Sequence, residues 1–388
     1  MKLSPLENQV GGHHGVLSMG EENEIIVKPC LPQELRFYEE AVLHPDFQVW
    51  MPSYYGTLTL TRELPQQLQG NQENGQPAGG SEVPVPTVKA LNGFLLADLM
   101  APEFAPTLTP EAAQSADISK DENDAECICL ENISHGFQKA CLLDLKLGTQ
   151  LFDEDASEDK KARLGVVSAN TTSGKLGMRL TGFHVYDCEK GEFTKYSKDY
   201  GKSLTEDTVL DGFRAFFSAK LGPQRMRLVI ERFVNDLADF LEMIETQEVR
   251  MRSSSLLMMY EGDPDAFDEG YLTEQEKIAE VVTKAKVELE KGTASISIDK
   301  DGDRVMIGNN SSNKDGDDED DDDEDDDDED DEDEELRQKV TDMRLIDFGH
   351  STWTPGKGPD EGVVLGVKNA LKLLEKLLEE DYPHEEEE

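Results

Sequence analysis

An aspartate and a lysine stand two residues apart near the end of an apolar segment, Leu142-Leu-Asp144-Leu-Lys146-Leu-Gly148. If this segment is a β-strand, Asp144 and Lys146 leave the same face of its sheet, because strand side chains alternate between faces. The pair then has one of two roles. It is an ion pair on a solvated strand face, or the lysine offers charge to a phosphate while the aspartate orients a hydroxyl, as phosphoryl transfer requires.

Another aspartate lies alone inside the apolar segment Leu345-Ile-Asp347-Phe348. A buried carboxylate without a partner is costly, so we expect a cation beside Asp347. Mg²⁺ held by one or two carboxylates and by substrate phosphates would meet that need, and capping by backbone N–H groups is the alternative. The letters Asp347-Phe-Gly349 also occur in protein kinases, but the sequence has no H-R-D-x-x-x-x-N loop before them. An ordinary protein kinase is therefore not predicted.

Basic residues that could meet a phosphate are few and clustered. Lys28 ends an apolar strand pattern, where its side chain can reach nucleotide phosphates or extend to water. The segment Lys160-Lys161-Ala-Arg163 is a basic island in an acidic chain. Further lysines and arginines follow it, namely Lys175, Arg179, Lys195, Lys198 and Lys202. The cluster indicates a site for an anionic, phosphate-bearing small molecule, with a solvated helix face as the alternative.

The charge of the whole chain excludes a general nucleic-acid binder. Its 388 residues include 38 Lys and Arg against 84 Asp and Glu, a net charge of −46, whereas duplex affinity comes from cations that neutralise phosphates. Much of the acid lies in an unbroken run from Asp317 to Glu335. This acidic run is either a solvated linker or a docking segment for basic nuclear or transcription-regulatory proteins.

The cysteines and the hydropathy indicate where the protein works. Five cysteines among apolar neighbours are typical of reduced thiols, and Cys127-x-Cys129 has no second Cys/His pair to complete a zinc site. No stretch reaches the about 18 apolar residues of a membrane span, and the N-terminus lacks a signal pattern. We therefore predict a protein of the nucleus and cytoplasm, without a membrane span.

These residues need mixed α and β elements to position them. The patterns predict a β-rich N-terminal lobe over residues 1–133, with mobile loops at about 64–86 and 106–124, and a C-terminal α+β lobe over 134–388. Polar sequence from about 263 to 337, including a disordered acidic insert at about 290–336, has too little to bury to fold. A cleft between the lobes is the expected ligand site.

Taken in order, these motifs resemble the inositol polyphosphate kinase family. The resemblance rests on Cys141-Leu-Leu-Asp144-Leu-Lys146-Leu-Gly148, on Ser253-Ser-Ser-Leu-Leu257 with Tyr260-Glu-Gly262, and on Leu345-Ile-Asp347-Phe348 with His350. Leu31–Tyr38 and Tyr200–Leu204 add to it. Ala140 departs from the family pattern, which usually has proline there. Within the family the chain is most similar to the multikinases, particularly the fungal ones, which carry an Asp-rich insert before the Ile-Asp-Phe motif.

The resemblance implies a two-lobed α+β fold, distantly like that of protein kinases, with ATP in the cleft between the lobes. It assigns Lys28 to the nucleotide phosphates and Asp347 to Mg²⁺. The hinge that reads adenine would comprise Glu131 and the backbone of Ile133, with Leu257 against the ring.

The catalytic and substrate-binding roles carry over in the same way. Asp144 would contact ribose and orient the attacking hydroxyl, and Lys146 would bind the transferring phosphate. The candidates for contacts with the inositol phosphate are Lys160, Arg163, Lys198 and His350.

The implied activity is stepwise phosphorylation of inositol trisphosphate to the tetrakis- and pentakisphosphate, with ATP and Mg²⁺ as cofactors. A hexakisphosphate kinase that makes pyrophosphates shares the Asp144-Leu-Lys146 and Ser253–Leu257 motifs and remains the alternative within the family. An acidic binding module for basic nuclear partners is the alternative outside it.

Deletion of the acidic run, Asp317 to Glu335, should leave kinase activity nearly intact, because a segment of this composition has nothing with which to pack. The measurement is the turnover of the deletion variant beside that of the full chain. A loss of about tenfold, equivalent to about 1.4 kcal/mol, would contradict the prediction.

Overall fold

The protein is described by a computed structural model that covers residues 2–6, 16–20, 23–62, 86–92, 107–108, 124–291, 294–298, 305–309 and 338–383. The predicted loops at 64–86 and 106–124 lie outside these residues except at 86, 107–108 and 124, and the acidic run lies outside them entirely. The chain divides into two compact units, Met1–Pro264 with Thr341–Glu388, and Asp265–Val340.

The N-terminal part of the first unit is built on a seven-stranded sheet of order β5-β4-β7-β3-β2-β1-β6. Its strands are β1 Lys2–Pro5, β2 Leu17–Met19, β3 Ile25–Pro29, β4 Tyr54–Arg62, β5 Pro86–Asn92, β6 Thr107–Leu108 and β7 Asp124–Glu131. Alternate residues form an apolar cluster on one face, including Leu17, Val27, Leu58 and Cys129. The opposite residues of β3, Ile26 and Lys28, are thereby directed to the other face.

Between β3 and β4 the chain forms helix α1 Pro32–Glu40, a 3₁₀ turn at Ala41–Leu43 and the short helix α2 Pro45–Gln48. Proline stands at the start of α1 and α2, where its missing N–H costs nothing. This region thus runs from strand through helix to strand. Phe37 of α1 stacks on Phe348 and on Trp353, with ring centroids 4.7 and 4.8 Å apart.

A five-stranded antiparallel sheet of order β10-β9-β8-β12-β15 forms the second layer of the first unit. Its strands are β8 Ala140–Leu147, β9 Met178–Asp187, β10 Glu192–Tyr196, β12 Ser255–Glu261 and β15 Thr341–Ile346. A separate two-stranded ladder pairs β11 Val249–Met251 with β16 Ser351–Trp353. The odd-numbered leucines of β8, Leu143, Leu145 and Leu147, are fully buried, so the even-numbered residues form the opposite face.

Helices complete the first unit. They are α3 Glu158–Ala169, α4 Thr172–Leu176, α5 Lys198–Ser203, α6 Val209–Phe216, α7 Pro223–Thr246 and, after the second unit, α9 Glu361–Asp381. Helix α7 buries a stripe at helical spacing that includes Phe233, Leu237, Phe240 and Ile244. The fold is therefore mixed α and β, as predicted, and all five cysteines are free thiols.

The chain between α2 and β4 also contacts the five-stranded sheet. The N–H of Leu345 on β15 donates to the carbonyl of Trp50 at 2.6 Å, and Arg344 Nη1 donates to the carbonyl of Val49 at 2.5 Å. The Trp50 ring meets Phe240 of α7 edge-on, with centroids 5.2 Å apart. The segment after α2 is thus fixed to the C-terminal layer.

Helix α8 Pro264–Lys291 and a hairpin of β13 Ala294–Ile298 with β14 Val305–Asn309 occupy part of the polar region. The prediction that the chain from about 263 fails to fold was wrong for α8. Its sequence is rich in Glu, Lys and Ala, which favour helix without burial, and Leu272, Ile278 and Val281 remain exposed. Within the described ranges, no helix has the length and apolar character needed to cross a bilayer.

Replacing Gly201 by alanine should destabilise the protein, because a Cβ on this residue of α5 would lie 1.8 Å from the carbonyl oxygen of Leu180 on β9. We expect a loss of about 2–3 kcal/mol in the free energy of unfolding. Gly165→Ala is the matched control, since a Cβ there meets nothing within 4 Å and alanine favours a helix by up to about 1 kcal/mol. Urea denaturation of both variants measures the contrast, and equal stabilities would contradict it.

Candidate active site

A cavity of about 300 Å³ lies between the two sheets of the first unit. The seven-stranded sheet and the chain between β1 and β2 contribute Leu6, Val16, Ile26, Lys28, Leu130 and Glu131, and the chain after β7 contributes Asn132, Ile133 and Ser134. The five-stranded sheet contributes Ala140, Leu142, Asp144, Leu257, Met259 and Ile346. Apolar walls with a few converging polar groups are typical of a small-molecule site.

The register of the central strands explains which side chains meet there. Asp144 of β8 is paired with Leu257 of β12, and Lys146 with Ser255. Ser255 is in turn paired with Ile346, the last residue of β15. Side chains of paired residues share a face, so Asp144 and Lys146 share the cavity side of β8, as their spacing predicted.

Lys28 connects the two layers across the cavity. Its Nζ lies 2.8 Å from Glu34 Oε1 of α1 and 2.8 Å from Asp347 Oδ1, immediately after β15. Burial lowers the pKa of Lys28, but the two carboxylates outweigh burial and raise the pKa above its ordinary value. Lys28 therefore stays charged and in a fixed position.

Asp347 has a strained backbone that places its carboxylate. Its φ is +65°, in the left-handed region that residues other than glycine rarely adopt. The Ser254 hydroxyl donates to the Asp347 carbonyl at 3.0 Å and lies 3.1 Å from the Ser351 hydroxyl. These contacts hold the chain reversal after β15, and such strain is typical of functional positions.

Asp144 is 4% exposed, and its Oδ1 atom has no hydrogen-bond partner among the described residues. Burial raises the pKa of Asp144, while Lys146 and Lys198 act in the opposite direction. Burial also lowers the pKa of Arg179, a β9 residue paired with Lys146 in register, while Asp144 raises it. A buried carboxylate oxygen without a partner suggests that a bound group completes the site.

Lys146 does not line the cavity itself. Its Nζ donates to the carbonyl of Ser253 at 2.5 Å. Ser253 has a φ of +65°, and its hydroxyl donates to the carbonyl of Leu151 at 3.0 Å. The loop before β12 thus holds the Lys146 ammonium beside the cavity, with a backbone carbonyl that a phosphate oxygen could replace.

The segment of the cavity wall after β7 contains the predicted hinge, Glu131 and Ile133. The Glu131 carboxylate accepts hydrogen bonds from the N–H and the hydroxyl of Ser53, each at 3.2 Å. Ile133 is 6% exposed and lines the cavity. Farther along, the buried Glu261 carboxylate accepts the N–H groups of Gln138 and Lys139 at 2.7 and 2.9 Å. The end of this segment, immediately before β8, is therefore fixed to β12.

Two of the four predicted substrate residues lie together. Lys160 Nζ on α3 is 3.4 Å from His350 Nε2, and His350 Nδ1 is 2.6 Å from the carboxylate of Asp153. Arg163 lies three residues along α3 with an exposed side chain. Lys198 begins α5 and is close enough to Asp144 to lower its pKa. The structure thus brings Lys160 and His350 into contact, while Arg163 and Lys198 stand apart from that contact.

Several site residues were missed from the sequence. Glu34 was not predicted, although an acid six residues after Lys28 on an amphipathic helix was a usable signal. Ser254 and Glu261 lie within motifs that the resemblance quoted, without a role. Asp153 gave no signal, because its partner His350 is far away in sequence. Arg179 was noted only as one cation of a cluster.

The carboxylates of the site fit a hard divalent cation. Asp347 is close enough to Asp144 to raise its pKa, and the Asp144 Oδ1 atom lacks a partner. Mg²⁺ prefers carboxylate oxygens and completes its shell with water and phosphate oxygens. Asp347, with Asp144 beside it, is therefore a suitable donor set for a metal that arrives with a nucleotide.

Comparison with known proteins identifies the fold. Residues 127–375 match the family model described as inositol polyphosphate kinase. The inositol polyphosphate multikinase of Saccharomyces cerevisiae is 30% identical over 96% of this chain and 97% of its own length. The multikinase of Schizosaccharomyces pombe is also 30% identical, over 67% of this chain and 80% of its own length.

A solved structure is similar over most of the chain. The crystal structure of the inositol phosphate multikinase Ipk2 from S. cerevisiae, in complex with ADP and Mn²⁺, has a TM-score of 0.53 and 25% identity. The match covers 92% of this chain and 99% of that one. The family match over more than half of the chain and the relative similar along nearly all of it show that this chain belongs to the inositol polyphosphate kinase family.

Proposed function

We propose that this chain is an ATP-dependent inositol polyphosphate multikinase, which phosphorylates inositol trisphosphate stepwise to the tetrakis- and pentakisphosphate. Its relatives in two yeasts bear the multikinase name. The observation that carries the proposal is the arrangement in the cavity. Lys28 is bound to Asp347, and Asp144 keeps an unpartnered oxygen on the strand face that it shares with Lys146.

The nucleotide belongs in the cavity between the sheets. Ile26, Leu130, Leu257 and Met259 supply apolar walls for an adenine ring, beside the fixed segment that includes Ile133. A similar solved structure holds ADP and Mn²⁺. Lys28 would meet the phosphates, and its ion pair with Glu34 keeps it oriented for them. Cations fixed before the reaction stabilise developing charge without a cost of reorganisation.

Asp347 would hold Mg²⁺, which when bound would neutralise charge on the β- and γ-phosphates. The protein's own groups contact the transferring phosphate and the attacking hydroxyl. Lys146 would exchange the Ser253 carbonyl for an oxygen of the transferring phosphate, since both are hydrogen-bond acceptors. The free oxygen of Asp144 would accept the hydrogen bond of the attacking hydroxyl and orient it.

The acceptor needs dispersed cations, because each substrate phosphate carries its own charge. Lys160 and His350 supply one such point, and Arg179 and Lys198 lie toward Asp144. Several separate cations suit a substrate that binds in more than one orientation. This arrangement favours successive phosphorylation of different hydroxyls.

We also propose, from the sequence, that the protein works in the nucleus and the cytoplasm and that its acidic run binds basic nuclear partners. The support is the unbroken charge of Asp317 to Glu335, which would attract clustered lysines and arginines. A test is whether purified histones are retained by the full chain and released when the run is deleted. Equal retention by both chains would exclude a role for the run.

The central test is an assay with Mg-ATP and either inositol trisphosphate or inositol hexakisphosphate, resolved by anion-exchange chromatography. We expect conversion of the trisphosphate to tetrakis- and pentakisphosphate, and a fall in kcat by a factor of about 10³ in Lys146→Ala. Lys190→Ala is the matched control, because Lys190 pairs with Asp187 in an exposed turn. Its kcat should be unchanged.

The other outcomes of this assay separate the alternatives. Pyrophosphate products from the hexakisphosphate would establish a hexakisphosphate kinase instead. Turnover of neither substrate by the wild-type protein would favour an acidic binding module.

Asp144→Asn should lower activity and raise stability together. We expect kcat to fall by a factor of about 10² or more, since the amide is a poorer acceptor for the hydroxyl proton. Because burial raises the pKa of Asp144 in the folded state, the wild type loses stability as pH rises from the unfolded pKa through the folded one. The neutral asparagine avoids this loss.

The stability difference can be measured by thermal unfolding at pH 8 and at a series of lower pH values. The variant should unfold at a higher temperature at pH 8, and the gap should narrow as the pH falls. A variant less stable than the wild type at pH 8 would show that the Asp144 carboxylate is instead held by favourable contacts.

A further inference from the structure

Asp153, in the loop between β8 and α3, contacts two cationic or ionisable side chains from distant parts of the chain. Its Oδ2 atom lies 2.6 Å from His350 Nδ1 and 3.9 Å from Lys160 Nζ. Lys160 Nζ in turn lies 3.4 Å from His350 Nε2, across a separation of 190 residues. The three groups close a small triangle.

This triangle is open to solvent, unlike the core ion pairs of the protein. The side chains of Asp153, His350 and Lys160 are 24%, 32% and 35% exposed. The buried pair of Arg252 with Asp360, by contrast, is 12% and 8% exposed and also binds the N–H of Met251. Asp153 thus holds groups that a ligand can still reach.

The hydrogen-bonding capacities of the three groups determine which ring nitrogen of His350 donates and which accepts. A carboxylate only accepts, so His350 Nδ1 carries the proton that is donated to Asp153. Lys160 only donates, and it faces Nε2, so Nε2 is the acceptor. The single lone pair of Nε2 faces the Lys160 ammonium at 3.4 Å, so the ring can accept from a ligand once that ammonium turns to another acceptor.

We propose that Asp153 is a positioning residue that sets Lys160 and His350 as a paired donor and acceptor for a phosphate and its neighbouring free hydroxyl on the inositol ring. This inference rests on the proposed function. When the phosphate binds the Lys160 ammonium, the lone pair of His350 Nε2 is released and accepts a hydrogen bond from the hydroxyl. A ring phosphorylated at every position has no hydroxyl to donate, so the pair selects incompletely phosphorylated inositols.

The test compares Asp153→Ala, His350→Ala and the double variant by steady-state kinetics with inositol trisphosphate and ATP. We expect each single change to raise the KM for trisphosphate about tenfold, with kcat and the KM for ATP changed less than about twofold. The double variant should be no more than about threefold worse than either single one, because both changes remove the same contact. Asp153→Asn keeps an acceptor oxygen for Nδ1–H and should give a smaller rise than alanine.

Asp155→Ala is the matched control, since it removes the same charge from an exposed side chain two residues away. Its KM should equal that of the wild type. The affinity for inositol hexakisphosphate, measured by calorimetry, should change less than about threefold in His350→Ala.

Three results would overturn the proposal. If the KM increase of the double variant equals the product of the two single increases, Asp153 and His350 act separately. An equal loss of hexakisphosphate affinity would make the pair a general phosphate site. An unchanged KM for trisphosphate in folded Asp153→Ala would show that Asp153 does not position the pair. Absence of trisphosphate turnover in the wild type would instead refute the proposed function.

Discussion

The contact between Lys28 and Asp347 is the interaction on which the site depends. It joins residues 319 apart in sequence, one from the seven-stranded sheet and one from the end of the five-stranded sheet. An unpaired ammonium at this depth would be costly, and so would an unpaired carboxylate. Each charge therefore offsets the free-energy cost of burying the other. Glu34 adds a second carboxylate that keeps the lysine charged. Both residues line the cavity, so the pair links the two sheets at the site itself.

The parts of the site that could be predicted are those that lie on one strand or in one motif. Asp144 and Lys146 share a face because strand side chains alternate, and Leu257 was placed by the family resemblance and lines the same cavity. The ion pair of Lys28 with Asp347 and the contact of Asp153 with His350 depend on how distant segments meet, which a single sequence does not contain. The roles assigned to these residues stay predictions until variants are measured.

The fold, too, could be predicted from the sequence only in part. The mixed α and β architecture followed from periodicity, because burial patterns such as the apolar stripe of α7 repeat along the chain. Helix α8 did not, since periodicity of burial gives little weight to a helix formed by local propensity, in which Leu272, Ile278 and Val281 are exposed. The rest of the predicted acidic insert, outside the β13–β14 hairpin, falls outside the described residues.

The attachment of the segment after α2 to β15 and α7 has a consequence for motion. Hydrogen bonds from Leu345 and Arg344 and the Trp50–Phe240 contact hold the segment after α2 to the C-terminal layer, and the Lys28–Asp347 pair is a second link between the layers. Both links oppose a rigid-body separation of the two layers about a hinge. We therefore expect nucleotide to enter and leave through local motions of side chains and loops.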